Sequence, residues 1–269
     1  MRRGKAIAWT LALGLVAWAL AGRGLVNYDT LYALVWGRDL VHGTLPDYDV
    51  ALAPTPHPLA TLVGAILSVL GAQGSIDATL ILAFVWLGAL ALITYRLGEA
   101  WINKAAGVLA AAIILTRRPV LDFGARAYVD LPYLVLVLGA LLVETRKRRA
   151  GAPVLALLAT AGLIRPEAWL FSAAYVLWLR PRDWRLYALA ASAPLLWALS
   201  DLIISGDPLH SLTGTRDTAQ TLERVTGLDE VPATVPRRVG EILREPVLFG
   251  AAGGVLLTVA FLRARVALG

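Results

Sequence analysis

The apolar and polar positions of the chain form long blocks rather than a short alternation. Apolar blocks cover roughly residues 6–22, 58–72, 78–95, 101–116, 131–143, 152–164, 167–180, 184–204 and 246–262. Stretches such as "ALAASAPLLWALSDLII" lack the period-two alternation of a barrel strand. Because only helices and closed barrels satisfy their backbone polar groups in lipid, the pattern predicts an all-α fold, a polytopic transmembrane helical bundle.

Composition supports the membrane class. Hydrophobic residues make up 58% of the 269 positions and the mean hydropathy is +0.67, whereas a soluble domain is about 45–50% apolar. The chain has no cysteine, which excludes disulfides, thiol catalysis and thiolate metal sites. Arginine outnumbers lysine 22 to 3, and with the abundance of alanine and leucine this indicates a bacterial protein from a high-GC genome.

Basic residues set the predicted topology. If all nine blocks cross the membrane, 12 lysines and arginines lie inside and 13 outside; if 58–72 stays at the surface, the split is 14 to 11. The positive-inside rule favours the second arrangement. We therefore predict eight spans, a cytoplasmic N-terminus and 58–72 as an interfacial or re-entrant helix. The basic start and first block are interpreted as an uncleaved span rather than a signal peptide.

The acidic residues indicate which side carries the chemistry. Of 19 acids, only Glu99, Glu144 and Asp183 are placed in the cytoplasm. Acids barely affect topology, so this sorting is independent of the rule used above. The whole chain, 1–269, is then one transmembrane module with a first outer loop over 23–77 and a last outer loop over 205–245.

The first outer loop begins "LVNYDTLYALVWGRDLVHG". It predicts a helix from Thr30 to His42, with Asp29 as its N-cap and Gly43 just past its end. One face of this helix is apolar, and such a face suits a helix that lies in the membrane interface. The face consists of Leu31, Leu34, Val35 and Leu40, with Tyr32 and Trp36. For Asp29, a helix cap and a functional carboxylate both remain open.

Two further outer motifs carry charges. "RRPVLDFGARAYVDLPY" spans 117–133, and its arginines either reach for lipid headgroups or hold a phosphate. "LIRPEAWLF" spans 163–171, and its arginine and glutamate are costly at membrane depth unless they have a function. The last outer loop predicts one or two amphipathic helices that could cap a site.

Several kinds of site are not encoded. His42, His57 and His210 are isolated and lack metal-ligand spacing. No P-loop or GxGxxG fingerprint is present, so no nucleotide-binding domain is predicted. No segment is typical of a nucleic-acid-binding module.

The four outer motifs resemble those of the GT-C superfamily of integral-membrane glycosyltransferases, which includes protein O-mannosyltransferases and aminoarabinose transferases. "NYDTLYALVWGRDLVHGTLPDYD" and "PTPHPLATLVGAILSVLG" are similar to the family's acidic first loop and its two interfacial helices. "ARAYVDLPYLVL" and "LIRPEAWL" are similar to its later outer motifs. Relatives usually carry further spans or an outer domain, so the resemblance implies a fragment or a minimal form.

The resemblance implies transfer of a sugar from a polyprenyl-phosphate donor to a lipid, glycan or protein acceptor, at the outer face of a bacterial plasma membrane. Membrane lipids are expected partners and nucleic acids are not. No cofactor is expected, and a divalent metal is left open, although Asp29-Thr30 replaces the paired acids of many relatives. The implied roles are general base for Asp29, donor-phosphate ligand for Arg126 or Arg165, and substrate binding for Asp49, His57, Tyr128, Asp130 and Glu167.

Two other functions fit the same sequence. A non-enzymatic lipid-carrier or sugar transporter would also place arginine and acid pairs at the ends of spans, and inverted repeats would be its signature. We find no convincing repeat between 78–143 and 152–262. A catalytically inactive GT-C relative that binds a lipid or a partner is the third interpretation.

Overall fold

The computed structural model describes residues 3–50, 52–223, 229 and 231–268, and over these residues it is all-helical with no strand. Some predicted segments extend outside the described residues. These are 1–2 of the basic start and 51, 224–228 and 230 of the outer loops. The helices are α1 (Arg3–Ala21), α2 (Tyr28–Val41), α3 (Pro58–Leu67), α4 (Gly71–Trp101), α5 (Lys104–Thr116), α6 (Arg118–Ala125), α7 (Asp130–Arg146), α8 (Ala152–Gly162), α9 (Glu167–Leu179), α10 (Trp184–Ser205), α11 (His210–Thr221), α12 (Val231–Leu243) and α13 (Glu245–Leu268).

Every apolar block predicted from the sequence is a helix, so the all-α fold class is confirmed. The two helices expected in the last outer loop are α11 and α12. Helix α6 was not predicted, although Pro119 in its first turn is a helix-start signal that the sequence contains.

Length and hydropathy support fewer crossings than the eight predicted. Within the described residues, three helices are long and apolar enough to cross a membrane, or up to five if each of two bent helix pairs counts as one span. Helices α5, α8 and α9 have 13, 11 and 13 residues, whereas about 20 are needed to cross the apolar layer.

The chain bends sharply between α3 and α4. The apolar stretch Pro58–Trp101 runs over 44 residues, but a 3-10 turn at Ser68–Leu70 and a positive φ of 72° at Gly71 interrupt it. The Ser75 hydroxyl donates to the Leu67 carbonyl at 2.8 Å, whereas eight residues of straight helix would separate them by about 12 Å. Helix α3 is therefore a separate, short element, as predicted for 58–72.

Helix α4 lies at the centre of the core. Its Leu87, Leu90 and Ala91 are almost fully enclosed and pack against α1, α5, α6 and α7. Helix α1 approaches closely at Gly88, where an added Cβ would lie 2.1 Å from the Thr10 carbonyl oxygen. Small residues at such crossings allow the tight packing typical of membrane helices.

Helices α2 and α3 form a tightly packed pair. A Cβ added at Gly64 of α3 would lie 2.3 Å from the Ala33 carbonyl oxygen of α2, so the two backbones are in direct contact. The buried face of α2 consists of Thr30, Ala33, Trp36 and Gly37. The predicted apolar residues Leu31, Val35 and Leu40 lie on its exposed side.

The loops collect at two ends of the bundle. At one end, here called the acid-rich end, hydrogen bonds and contacts join residues 25–30, 55–59, 126–130, 163–167 and 210–215. At the other, the basic end, Trp101 donates to Thr145 and Arg149 donates to the Leu179 carbonyl. The segments predicted to lie outside thus share one end, and those around 101, 145–149 and 179 share the other.

Candidate functional site

The first turn of α2 corrects the predicted cap. Asn27, not Asp29, is the N-cap: its side-chain oxygen accepts from the Thr30 backbone N–H at 3.1 Å. Asp29 instead lies inside the first turn, half-buried, where a carboxylate interacts favourably with the helix dipole. The helix ends one residue earlier than predicted, at Val41, with His42 as its C-cap. Gly43 follows the C-cap with a positive φ of 75°.

The same turn is attached to the loop between α6 and α7. The backbone N–H and the side-chain amide of Asn27 both donate to the Arg126 carbonyl oxygen at 2.9 Å. The Thr30 hydroxyl donates to the Ala127 carbonyl at 2.8 Å. These bonds hold Asp29 and Arg126 in neighbouring segments at the acid-rich end.

Arg126 remains accessible in this arrangement. Its side chain is 47% exposed and reaches Asp122 only at 4.0 Å, a distance at which an ion pair on the surface contributes little. Tyr128 follows two residues later, and its ring lies 4.6 Å from that of Phe123. The guanidinium group can therefore accept an anionic ligand without first losing a strong partner.

An apolar cavity of about 210 Å³ lies beside these residues. Helices α2, α3 and α4 and the start of α7 enclose it, and Thr30, Ala127 and Tyr128 contribute to its wall. Leu59, Leu131 and Ile164 also line the cavity. In sequence they lie beside or near three more predicted site residues, His57, Asp130 and Arg165. Most of the side chains that line the cavity are apolar.

Arg165 is held between two carboxylates. It pairs with Asp130 at the start of α7 and with Glu167 at 3.3 Å, and its side chain is 32% exposed. It also lies 6.0 Å from the centre of the Tyr133 ring. The group joins α7 to the loop between α8 and α9.

His57 adjoins this cluster from the start of α3. Its Nδ1 atom is buried and has no hydrogen-bond partner among the described residues. Burial, together with the positive charge of Arg165, lowers the pKa of the imidazole to about 4, so the ring is neutral at pH 7. The ring lies 6.1 Å from that of Trp197 in α10.

Asp49 lies apart from the others, in a loop that faces α11. The neighbouring Tyr48 is buried against Trp36, and its ring stacks on His210 at 5.7 Å. Burial raises the pKa of the Tyr48 phenol well above its usual value, so the hydroxyl stays protonated. Asp201, 1% exposed, accepts hydrogen bonds from the backbone and hydroxyl of Ser211 at the start of α11.

The eight predicted site residues thus occupy three neighbouring groups at one end of the bundle. Tyr128 lines the apolar cavity, and Asp29 and Arg126 each adjoin a lining residue in sequence, Thr30 and Ala127. Asp49 lines the cleft at α11. The remaining four form the ionic cluster: His57, Asp130, Arg165 and Glu167. Sequence reasoning missed Asn27 and Asp201, although an asparagine two residues before Asp29 was a visible alternative cap.

No group of three or more histidine, cysteine or acidic side chains suited to a metal ion is found within the described ranges. Comparisons with protein-family models, with curated proteins and with solved structures give no match. Function is therefore inferred from the geometry of this end of the molecule.

Proposed function

We propose that the chain is a multi-pass glycosyltransferase of the bacterial plasma membrane that resembles the GT-C superfamily. It transfers a sugar from a polyprenyl-phosphate donor to an acceptor at the outer face. The acid-rich end carries the active site, and the basic end and the N-terminus lie in the cytoplasm.

The separation of the loops supports this orientation. Basic segments at 144–149 and 180–185 lie at the end opposite the acidic loops, as the positive-inside rule requires. In the eight-span arrangement, α8 and α9 cross as a short hairpin whose loop at 163–166 is recessed below the surface. Such non-helical backbone is tolerated at membrane depth where protein encloses it, and Ile164 is buried.

The observation that carries the proposal is the attachment of the Asp29 turn to the Arg126 turn beside an apolar cavity. Asp29 takes the proton of the acceptor hydroxyl, and the acceptor oxygen attacks the anomeric carbon. The bond from that carbon to the phosphate oxygen breaks, and the polyprenyl phosphate leaves with the electron pair. Arg126 stabilises the leaving phosphate, while the cavity holds the first part of the prenyl chain.

The ionic cluster has a positioning role in this scheme. Arg165 makes ion pairs with Asp130 and Glu167, so binding a phosphate would require breaking at least one of them. Among the described residues, Arg126 has only the long contact to Asp122, which makes it the better phosphate ligand of the two. His57 packs against the cluster as a neutral ring and helps fix the loop at 163–166.

The test is donor binding by the full chain in lipid nanodiscs, with polyprenyl phosphate as the probe. Arg126→Gln removes the charge, and we expect binding to weaken by at least about tenfold, because a hydrogen bond to a charged group contributes about 1.5–3 kcal/mol. Arg38→Gln is the matched control, since Arg38 is an exposed arginine of α2 that pairs with Asp39. Equal binding by the two variants would contradict the assigned role of Arg126.

A further inference from the structure

A second cavity, of about 430 Å³, lies at the acid-rich end, between α11 and the segments 48–50 and 52–56. Its lining is rich in carboxylate and hydroxyl groups: Asp49, Thr55, Thr213, Thr215 and Asp217. None of the described residues that line it is a lysine or an arginine. This polar cleft is chemically distinct from the apolar cavity beside Arg126.

The walls of the polar cleft are fixed by buried groups. Tyr48 is held between Trp36 and His210, and Ser211 is fixed by its two hydrogen bonds to Asp201. Across the cleft, the hydroxyl groups of Thr55 and Thr215 are 2.6 Å apart and share a hydrogen bond. Tyr48 and Thr55 are therefore held against α11 independently of any ligand.

The two aspartates are available for a ligand. Within the described residues, neither Asp49 nor Asp217 makes an ion pair. Carboxylates accept hydrogen bonds from hydroxyl and ammonium groups, and they repel phosphate. Threonine hydroxyls and Tyr48 also line the cleft. The cleft therefore matches a ligand that has several hydroxyl groups and no negative charge.

The cleft adjoins the ionic cluster. His57 of the ionic cluster directly follows Pro56 of the cleft lining. Helix α10 runs past both groups. Its Trp197 contacts His57. Four residues later, Asp201 accepts a hydrogen bond from Ser211 and lies near Tyr48. Four residues of helix rise about 6 Å, so about one turn of α10 connects the contact with His57 to the contact with Ser211 in the cleft wall.

We propose that the polar cleft binds a saccharide without negative charge, the hydroxyl-bearing acceptor of the transfer reaction, while the donor phosphate binds at Arg126. The role of this saccharide as the acceptor rests on the proposed function. The binding of an uncharged or amino-substituted sugar follows from the cleft itself.

The experiment is saturation-transfer-difference NMR on the full chain in nanodiscs, with methyl glucoside, glucosamine and glucose 6-phosphate as probes. We expect the first two sugars to bind and the phosphorylated sugar to bind at least about tenfold more weakly, because of charge repulsion at Asp49 and Asp217. Asp217→Asn should weaken glucosamine binding by about tenfold or more, and Thr215→Val should weaken binding of both sugars. Asp77→Asn is the matched control, an exposed acid at the start of α4 whose amide would still accept from Gln73.

Absence of binding by both unphosphorylated sugars, or binding that Asp217→Asn leaves unchanged, overturns the inference. The outcome is separable from that of the proposed function. A chain that binds these sugars through the cleft but transfers none from any polyprenyl-phosphate donor supports the cleft and contradicts the transferase. A chain that transfers sugar with an unchanged KM for acceptor in Asp217→Asn supports the transferase and contradicts the cleft.

Discussion

The backbone N–H of Asn27 donates to the carbonyl oxygen of Arg126 across 2.9 Å, and the Asn27 side chain donates to the same oxygen. One residue therefore caps α2 and attaches that cap to a loop 99 positions later in the chain. Asp29 and Arg126 inherit their relative position from this attachment, since each lies within two residues of it.

Replacement of Asn27 tests that attachment. Asn27→Ala removes the cap bond to Thr30 and the side-chain bond to Arg126, so we expect a loss of about 2–3 kcal/mol in unfolding free energy. Asn103→Ala is the matched control, because Asn103 caps α5 through Ala106 and makes no comparable long-range bond. Its expected loss is about 1 kcal/mol. Equal losses, measured by thermal unfolding in detergent, would contradict a linking role for Asn27.

The orientation of the bundle can be read by chemical labelling. The natural chain has no cysteine, so single cysteines at Asp47 and Arg148, both exposed, report without background. A membrane-impermeant maleimide added to intact cells should label the Asp47 position and leave the Arg148 position unlabelled until the membrane is opened. Labelling of Arg148 from outside would reverse the topology.

The ion pair between Asp130 and Arg165 should couple energetically. Both side chains are about 30% exposed, at 29% and 32%, so we expect a coupling of about 1 kcal/mol in a double-mutant cycle of Asp130→Asn and Arg165→Gln. The more exposed pair Arg38–Asp39, at 54% and 27%, is the control, with an expected coupling below about 0.5 kcal/mol. A larger coupling in the control pair would remove the structural role of Arg165.

Acid should destabilise the protein through His57. Its folded-state pKa of about 4 lies below the ordinary value of 6.5, so the unfolded chain binds more protons between these pH values. Stability is therefore full above pH 6.5 and falls as the pH drops towards 4. We expect this residue to contribute about 1–3 kcal/mol to the loss.

The control for this prediction is His57→Gln, which removes the titrating ring. Thermal unfolding from pH 7 to pH 4.5 should show a shallower decrease for His57→Gln than for the wild-type chain. Identical slopes would show that carboxylates alone cause the acid sensitivity.

Much of the fold was predictable because the apolar blocks are long. Each block became a helix, and the sharp bend at Gly71 agrees with the charge pattern that kept 58–72 separate from the following span. The cap was harder, because Asn27 and Asp29 are both good cap residues and only the backbone geometry decides between them. Asp201 could not be found, since its partner Ser211 belongs to another helix and nothing in the local sequence marks the pair.

The sequence proposes site residues by type, but it does not show how the fold groups them. Arg165 and Glu167 are adjacent to one proline, and their pairing could be expected. Asp130, which completes the ionic cluster, comes from a loop 35 positions away. The ion pairs of Arg165 and the accessibility of Arg126, the proposed phosphate ligand, depend on tertiary contacts that a sequence pattern does not specify.

The most direct test of the central claim is sugar transfer by Asp29→Asn. Because Asn27 is the cap, this substitution leaves the cap intact, and the lost interaction of a charge with the helix dipole contributes about 0.3–1 kcal/mol. Asparagine cannot take a proton, and general-base catalysis contributes about a hundred- to ten-thousand-fold in rate. In proteoliposomes with polyprenyl-phosphate-linked sugars, we expect a folded variant with near-normal donor binding and a loss of transfer of at least about a hundredfold. Transfer by Asp29→Asn at the wild-type rate would contradict the account.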